Sequence, residues 1–297
     1  MKDLKTVNQE IELTQTIKSI AQTYEEIAVM KIQKIRTSVL TTRDFLKRVS
    51  EIYDEVKEAY KNQVLFRLLK MKNKTDIKKS FSTISKNGKS VNVLITSNER
   101  LTGDITNKVF TQFLDRVLQS KDDVVIVGKV GRDLFASQNL NRKYDYFDLP
   151  EYNATMVVLK PIIAKIIDYE TVEVFHGRFI NLVNQIQDMS NLTRGYENKE
   201  AKTEDELRKS ASKYLFEPSI EVILKFFEIQ IFGSLFKQSV AEANLANLGS
   251  RINAMEQATT NTGEEVKRLV REKIRLEKSL ENKKQLQRLA GINLWSK

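Results

Sequence analysis

Apolar residues recur at steps of three and four in the N-terminal part of the chain, which contains no proline and no glycine from Leu4 to Leu69. Such steps place the apolar side chains on one face of a helix. Because the face shifts between successive sets, the pattern predicts a long helix with imperfect heptads over about residues 1–70. The sets are Ile17, Ile20, Tyr24 and Ile27, then Ala28, Ile32, Ile35 and Val39, and finally Leu46, Val49, Tyr53, Val56 and Tyr60.

A heptad pattern also runs through the C-terminal segment, residues 216–297, where no proline follows Pro218. This spacing is typical of a left-handed coiled coil. A helix over residues 219–289 would be roughly 105 Å long, too long to pack inside a small globular domain. We therefore expect it to pair antiparallel with the N-terminal helix. One heptad position holds Leu245, Ile252, Thr259, Val266, Lys273 and Leu280, and the other holds Leu248, Met255, Thr262, Leu269 and Leu276.

Between the two helices, residues 71–215 alternate between strand and helix patterns, which favours a parallel α/β unit. A further helix is expected beyond Pro161, a hairpin turn at Gly177, and a polar loop over residues 188–213. The first four elements are strands at 91–97 and 123–128, a helix at 105–119, and a helix that starts near 131.

The composition supports a folded, strongly charged protein. Of the 297 residues, 41% are apolar and 30% charged, and the net charge is +10. The basic excess indicates either an acidic partner or only a lysine-rich surface. The chain has no cysteine, which excludes disulfides and thiolate metal sites and fits a reducing compartment. No apolar run approaches the roughly 20 residues of a membrane span, so no direct membrane span is expected.

The sequence offers little catalytic chemistry. The stretch 128–135 lacks the spacing of a phosphate-binding loop, and 97–104 has one glycine where a dinucleotide loop has three. His176 is the single histidine, which excludes a multi-histidine metal site and a histidine triad. We therefore expect no catalytic residues, no cofactor and no metal.

Six stretches, in order along the chain, resemble the gamma subunit of F-type rotary ATPases, the central stalk of ATP synthases. In the C-terminal helix, "SRINAMEQATTNTG" is similar to the family's ARMxAMxxATDNA segment, and "YLFEPSIEVIL" resembles its Y-x-x-E-P stretch. The matching positions there are Tyr214, Glu217, Pro218, Arg251, Ala254, Met255, Ala258, Thr259 and Asn261, with Glu242 at an acidic position between the two stretches.

The remaining matches lie nearer the N-terminus. "VLITSNERLTGDITNKVF" resembles the family's first strand and turn, "IVGKVG" its second strand and turn, and "VEVFHGRFINLVNQ" its strand pair. "IAVMKIQK" is similar to the family's MVAASKMRK segment. The positions are Ala28, Lys31, Lys34, Ser97, Leu101, Gly103, Gly128, Gly131, Phe179 and Gln185. The chain departs from the family at Arg100, Thr102, Asp104 and Thr260, and throughout the last-helix segment around Lys278, so it resembles a divergent member.

The resemblance implies a long antiparallel coiled coil of the N- and C-terminal helices with a central Rossmann-like α/β domain. It implies a shaft that turns inside a head of alpha and beta subunits and meets an epsilon-type subunit and a c-ring or another foot partner. The chain would then be non-catalytic, cytoplasmic and peripheral on the inner face of the cell membrane. Polar partners from the neighbouring helix and the head would explain the polar heptad positions, although simple tolerance in a long coil explains them as well.

Two sets of residues are candidates for this role. The coiled-coil seam is expected to contain Ile17, Ile20, Tyr24, Ile27, Leu248, Ile252, Met255, Val266, Leu269 and Leu276, and the head contact Lys31, Arg251, Asn261, Leu286, Leu289 and Trp295.

Three other interpretations stay open from the sequence. One is a gamma-like shaft of a related ATPase motor of the mollicute type, driving other machinery instead of a proton-translocating synthase. Another is a nucleic-acid-binding coiled-coil protein, which the net charge suggests, although the basic helix lacks aromatic residues for base stacking. The last is an α/β enzyme with helical arms. The rotor interpretation predicts no nucleic-acid partner.

Overall fold

The structure is a computed structural model that describes residues 3–70, 86–150, 154–193, 217 and 219–295. Its contacts divide the chain into two compact units. The first unit contains Met1–Met30 and Arg251–Lys297, and the second contains Lys31–Ser250. The domain boundaries expected from sequence, at residues 70/71 and 215/216, stay a prediction.

Two long helices lie at the two ends of the chain, as predicted. Helix α1 is Leu4–Lys70 and helix α5 is Ile220–Trp295. In the first unit the two helices run antiparallel. Gly263 of α5 lies beside the Lys18 side chain of α1. Arg268, further along α5, interacts electrostatically with Glu10, which is nearer the start of α1. The predicted antiparallel coiled coil of the two end helices is confirmed.

The same two helices also pack on each other within the second unit. Val49, Tyr53 and Val56 of α1 form a buried apolar cluster with Leu224 and Ile231 of α5. The Tyr53 hydroxyl donates a hydrogen bond to Glu228 Oε1 at 3.3 Å, which satisfies the polar end of a largely buried ring.

A five-stranded sheet forms the centre of the second unit, in the order β3-β2-β1-β4-β5. The first four strands are parallel neighbours, and β5 pairs antiparallel with β4. The elements are β1 (Ser90–Ile95), α2 (Ile105–Gln119), β2 (Asp123–Val127), α3 (Lys129–Ser137), β3 (Asp145–Phe147), α4 (Met156–Ile166), β4 (Thr171–Phe179) and β5 (Gln185–Asn191). This alternation confirms the predicted central Rossmann-like α/β domain.

Both faces of the sheet are covered at its centre, which explains why β1 and β2 are almost continuously apolar and buried. One face buries Val93, Val125 and Val174 against α4 and the α5 residues Phe232 and Phe236. The other face buries Leu94, Ile126 and Phe175 against α2 and α3, with Phe113 at the centre. The sheet is therefore sandwiched between two helical layers, and α5 contributes to both, because Ala246 belongs to the cluster with α2 and α3.

The hairpin prediction was wrong about its turn. Strand β4 continues through Gly177, which pairs with Gln187, and the chain reverses over residues 180–184 instead. There the Asn181 side-chain oxygen accepts hydrogen bonds from the backbone N–H groups of Val183 and Asn184, at 3.0 and 2.7 Å. This side-chain-to-backbone bonding forms the turn without glycine.

The predicted start of α4 was also wrong. The helix begins at Met156, so Pro161 lies inside it. Pro161 is on the exposed side, where the carbonyl group that loses its helical N–H partner can bond to water. Strand β3 was not predicted, and of the expected loop over 188–213, residues 188–191 belong to β5, while 194–213 lie outside the described residues.

None of the helices in the described part of the chain is long and apolar enough to cross a membrane.

The contact between Tyr169 and Asp123 makes the stability of the fold depend on pH in the alkaline range. Burial, and then the 2.9 Å hydrogen bond that the hydroxyl donates to Asp123, raise the pKa of Tyr169 to about 12. In an unfolded chain a tyrosine pKa is about 10. Below that pH both states keep the proton and the contribution to stability is complete. As the pH rises from about 10 to about 12, only the unfolded state ionises, so the contribution is lost.

We predict that the urea midpoint of unfolding falls more steeply above pH 10 for the parent chain than for Tyr169→Phe, which has no hydroxyl to ionise. Parallel pH profiles for the two chains would contradict the assignment.

Candidate functional site: the paired-helix rod and the strand ends

In the first unit, the rod consists of α1 and α5 packed along one narrow seam. On α1 the buried positions are Val7, Ala21 and Ala28. On α5 they include Ile252, Met255 and Leu269. Alanine on one side and larger residues on the other let the helices approach closely while the gap stays filled.

The sequence-predicted seam residues of α5 lie on its buried side. Leu248 is buried within the second unit, and in the first unit Ile252, Met255 and Leu269 are buried while Val266 and Leu276 are half-buried.

The α1 residues of the predicted seam lie beside the buried face. Ile17, Ile20 and Tyr24 are 39 to 51% exposed, and Ile27 is half-buried. The buried residues Ala21 and Ala28 each follow one of them by a single position. The sequence pattern assigned the seam to the large apolar side chains, whereas close approach of two helix backbones requires small side chains at the contact. The seam role of these four residues therefore stays a prediction.

Three polar side chains occupy heptad positions of α5 that the sequence assigns to the seam. The Thr262 hydroxyl donates to carbonyl oxygens of its own helix, Ala258 at 2.6 Å and Thr259 at 3.1 Å, so it needs no partner across the seam. Thr259 Oγ1 is buried and has no hydrogen-bond partner among the described residues. Lys273 lies 3.9 Å from Glu277 on the same helix and stays half-exposed. Thr259 is thus the polar seam position that pairing of the two helices leaves unsatisfied.

The outer surface of α5 is basic, with local carboxylate partners. Arg268 Nε donates to Glu265 at 2.8 Å. That hydrogen bond, and with a smaller effect the Glu10 carboxylate of α1, raise the pKa of Arg268. Exposed pairs of this kind contribute little to stability and leave a charged surface for a partner.

The residues predicted to contact a head fall into two groups. Lys31 is half-buried and Arg251 is buried within the chain itself, whereas Asn261 is exposed. Leu286 and Leu289 are 65 and 59% exposed, in a stretch of α5, residues 281–289, whose side chains are all exposed. The Trp295 side chain lies outside the described part of the chain. Large exposed leucines near the end of a helix indicate a docking surface.

The strand ends, where a Rossmann fold binds phosphate, are already filled by the chain's own groups. The first three backbone N–H groups of α3 are those that would bind an anion. Lys129 N–H donates to Asn98 Oδ1 at 2.9 Å, Val130 N–H to the Ser97 carbonyl at 3.1 Å, and Gly131 N–H to Thr96 Oγ1 at 2.9 Å. A phosphate would have to displace all three partners.

The glycines of "GKVG" serve packing in this arrangement. A β-carbon on Gly128 would lie 2.3 Å from the Thr96 carbonyl oxygen, and one on Gly131 would lie 2.7 Å from the Thr96 hydroxyl. Gly128 also has a φ of 103°, which favours glycine. Close approach to Thr96 therefore accounts for both glycines without a nucleotide.

His176 is a structural residue in β4. Its Nδ1 lies 3.0 Å from the Gly177 carbonyl oxygen and its Nε2 lies 2.9 Å from Ser190 Oγ, so both ring nitrogens are occupied. The described residues contain no group of three or more His, Cys, Asp or Glu side chains that could hold a metal ion.

The sequence is similar to a known protein family. The family profile described as ATP synthase matches residues 3–276. The ATP synthase gamma chain of Halothermothrix orenii is 24% identical over 280 residues, covering 91% of each chain. The ATP synthase gamma chain of Mycoplasmopsis pulmonis is 22% identical over 267 residues, covering 88% of each chain.

Solved structures with a similar fold include two from mitochondrial ATP synthases. A chain of the Tetrahymena thermophila central stalk and c-ring aligns with a TM-score of 0.53 at 17% identity, over 80% of this chain and 99% of that one. A chain of the Euglena gracilis OSCP/F1/c-ring assembly in rotational state 3 gives 0.51 at 16% identity, over 88% and 93%.

We predict that Leu269→Ala destabilises the paired helices by about 2–5 kcal/mol, because it removes a side chain that is only 1% exposed in a packed seam. The matched control is Leu280→Ala on the same helix, where the leucine is 44% exposed. Amide hydrogen exchange of α1 measures the effect. Equal exchange rates in the two variants would place the seam elsewhere.

We also predict that the isolated chain does not bind ATP, since the N–H groups of α3 are already used. Titration calorimetry with magnesium-ATP should give no binding heat. Micromolar affinity that is lost in a variant of the α3 N-terminus, Gly131→Ala, would overturn this account of the strand ends.

Proposed function

The chain belongs to the ATP synthase family, and on that premise we propose that it is the gamma subunit, the central rotor shaft of an F-type rotary ATPase. The shaft couples ATP synthesis or hydrolysis in a head of three alpha and three beta subunits to rotation and to ion transport across the membrane. One observation carries the proposal: the family profile covers α1, the α/β domain and α5 as far as residue 276, and those helices pair antiparallel as a shaft requires.

The partners follow from this role. The alpha and beta subunits surround the paired helices, and the α/β domain meets an epsilon-type subunit and the c-ring. The named assemblies of similar fold, a central stalk with its c-ring and an F1 head with its c-ring, support this set. The shaft is cytoplasmic and peripheral on the inner face of the cell membrane, and it reaches the membrane only through the c-ring.

The chain is non-catalytic in this role, and the beta subunits carry out ATP chemistry. The occupied N–H groups at the start of α3 support this assignment, because the place where a Rossmann fold holds phosphate is closed by Thr96, Ser97 and Asn98. The structural role of His176 supports it as well.

The head contact includes the C-terminal end of α5. Leu286, Leu289 and Trp295 dock in an apolar sleeve of the head, and Lys31, Arg251 and Asn261 make further contacts with the head. The exposure of the two leucines supports docking at this end. The basic surface of α5 supports charge contacts with acidic loops of the ring, since these transmit force without the permanent adhesion of a large apolar interface.

A rotation assay tests the function. The chain has no cysteine, so Lys121→Cys, at an exposed position after α2, provides a single attachment point for a bead on the α/β domain. The complex with its alpha and beta subunits is fixed through the head and supplied with ATP. We expect unidirectional rotation of the bead that stops when ATP is removed.

Failure of the chain to assemble with the alpha and beta subunits would overturn the proposal, as would a bead that moves only by Brownian motion while the head hydrolyses ATP. The chain alone, attached in the same way, serves as the control and should show no ATP-dependent motion.

A further inference from the structure

Helix α5 is enclosed on every side where it passes the sheet. All six consecutive residues from Leu245 to Ser250 are buried. Successive residues of a helix point about 100° apart, so six in a row cover its whole circumference. A surface helix would bury one stripe only. This part of α5 is therefore embedded in the second unit.

Two backbone contacts fix the α/β domain to this embedded turn. A β-carbon on Gly177 of β4 would lie 2.8 Å from the Ala246 β-carbon, and one on Gly103, after β1, would lie 2.2 Å from Ser250 Oγ. Both distances are shorter than side chains tolerate, so the strand and the loop touch the helix directly. Gly103 also has a φ of 63°, which favours glycine.

A third contact involves the helix's own glycine. A β-carbon on Gly249 would lie 2.8 Å from Gln185 Nε2 and 3.1 Å from Phe179 Cε2, at the two ends of the β4–β5 turn. The three contacts come from the loop after β1, from β4 and from the start of β5. Because Ala246, Gly249 and Ser250 lie three and four residues apart, all three contacts are made with one face of α5.

Buried polar groups add a directional element. Thr102 and Thr106 share a 2.7 Å hydroxyl hydrogen bond, and Thr106 Oγ1 donates to Asn247 Oδ1 at 3.5 Å. All three side chains are buried. The bond to Asn247 joins α2 to the enclosed turn of α5, and rotation of α5 about its axis would break it and leave buried groups unpaired.

The location is the crevice beside β1 and β4, where the strand order of a doubly wound sheet reverses and where such folds bind ligands. Here α5 occupies the crevice. A helix seated there, in contact with rigid strands through backbone atoms, has little freedom to twist, because closely packed interiors are weakly compressible and transmit strain.

We propose that these contacts, around Gly103, Gly177 and Gly249, form a torsion joint that carries torque between the shaft and the α/β domain. The proposal rests on the proposed function and adds to it the place where force passes from α5 to the sheet. The glycines act as positioning residues, because the absence of their side chains sets how closely α5 packs against β4, the start of β5 and the loop after β1.

The test measures torsional stiffness in the assembled complex. With the head fixed and catalysis stopped by omitting ATP, the angular fluctuations of a bead on Lys121→Cys report how stiffly the α/β domain is held. Gly177→Ala inserts a methyl group between β4 and Ala246 and should widen the fluctuations. The swapped pair Gly177→Ala with Ala246→Gly returns the space and should narrow them again.

The control is Gly263→Ala, a glycine-to-alanine change on α5, where the nearest atom to the new β-carbon is Lys18 Nζ at 3.7 Å. Its fluctuations should equal those of the parent. Gly249→Ala is the second joint variant, because its new β-carbon meets side-chain atoms of Gln185 and Phe179, and it decides the question if Gly177→Ala does not assemble.

Unchanged fluctuations in an assembled Gly177→Ala or Gly249→Ala complex would overturn the joint. So would a swapped pair as loose as Gly177→Ala alone. A parent complex that does not rotate with ATP overturns the proposed function, and the torque role with it. A rotating parent whose joint variants keep full stiffness overturns the joint alone.

Discussion

The pairing of two long helices along one narrow seam is the constraint on which the rest of this structure depends. A two-helix rod has no core behind its contact face, so every seam position must either fill space or satisfy itself locally. Ala21 and Ala28 permit close approach, Leu269 fills the gap, and Thr262 bonds to its own backbone. Thr259, whose buried hydroxyl has no hydrogen-bond partner in the part of the chain that the structure describes, marks the position where pairing of the two helices leaves a polar group unsatisfied.

The α/β domain uses the features of a nucleotide-binding fold for mechanical purposes. The N–H groups that would hold a phosphate instead donate hydrogen bonds to Thr96, Ser97 and Asn98. The turn of α5 around Ala246 fills the crevice at the reversal of strand order. In other proteins with this fold the strand ends lie close to a bound ligand. In this chain they lie close to the backbone of helix α5. The fold therefore supplies a stiff attachment, which is what a shaft needs from its foot.

Much of the fold could be predicted from the sequence because its signals are local. The helix at 105–119, the first two strands and both long helices follow from apolar spacing alone. The errors came where tertiary context decides. Gly177 suggests a turn locally but lies in a strand that needs close contact with α5, and Pro161 suggests a helix start but is tolerated inside α4 on its exposed side.

The α1 seam illustrates the same limit within the candidate site. Large residues such as Ile20 attract a pattern-based assignment, whereas two backbones that approach closely bury the neighbouring Ala21. The contacts of Gly103 with Ser250 and of Gly177 with Ala246 join residues far apart in the chain, and no single-sequence pattern reports such pairs.

The most direct test of the central claim is to purify the tagged chain from its native cells under mild conditions and determine its partners and their stoichiometry by native mass spectrometry. The account predicts one copy of the chain with three alpha and three beta subunits, together with an epsilon-type subunit and c-ring components. Recovery of the chain with nucleic acid, or without alpha and beta subunits from membranes that contain the assembled enzyme, would contradict it.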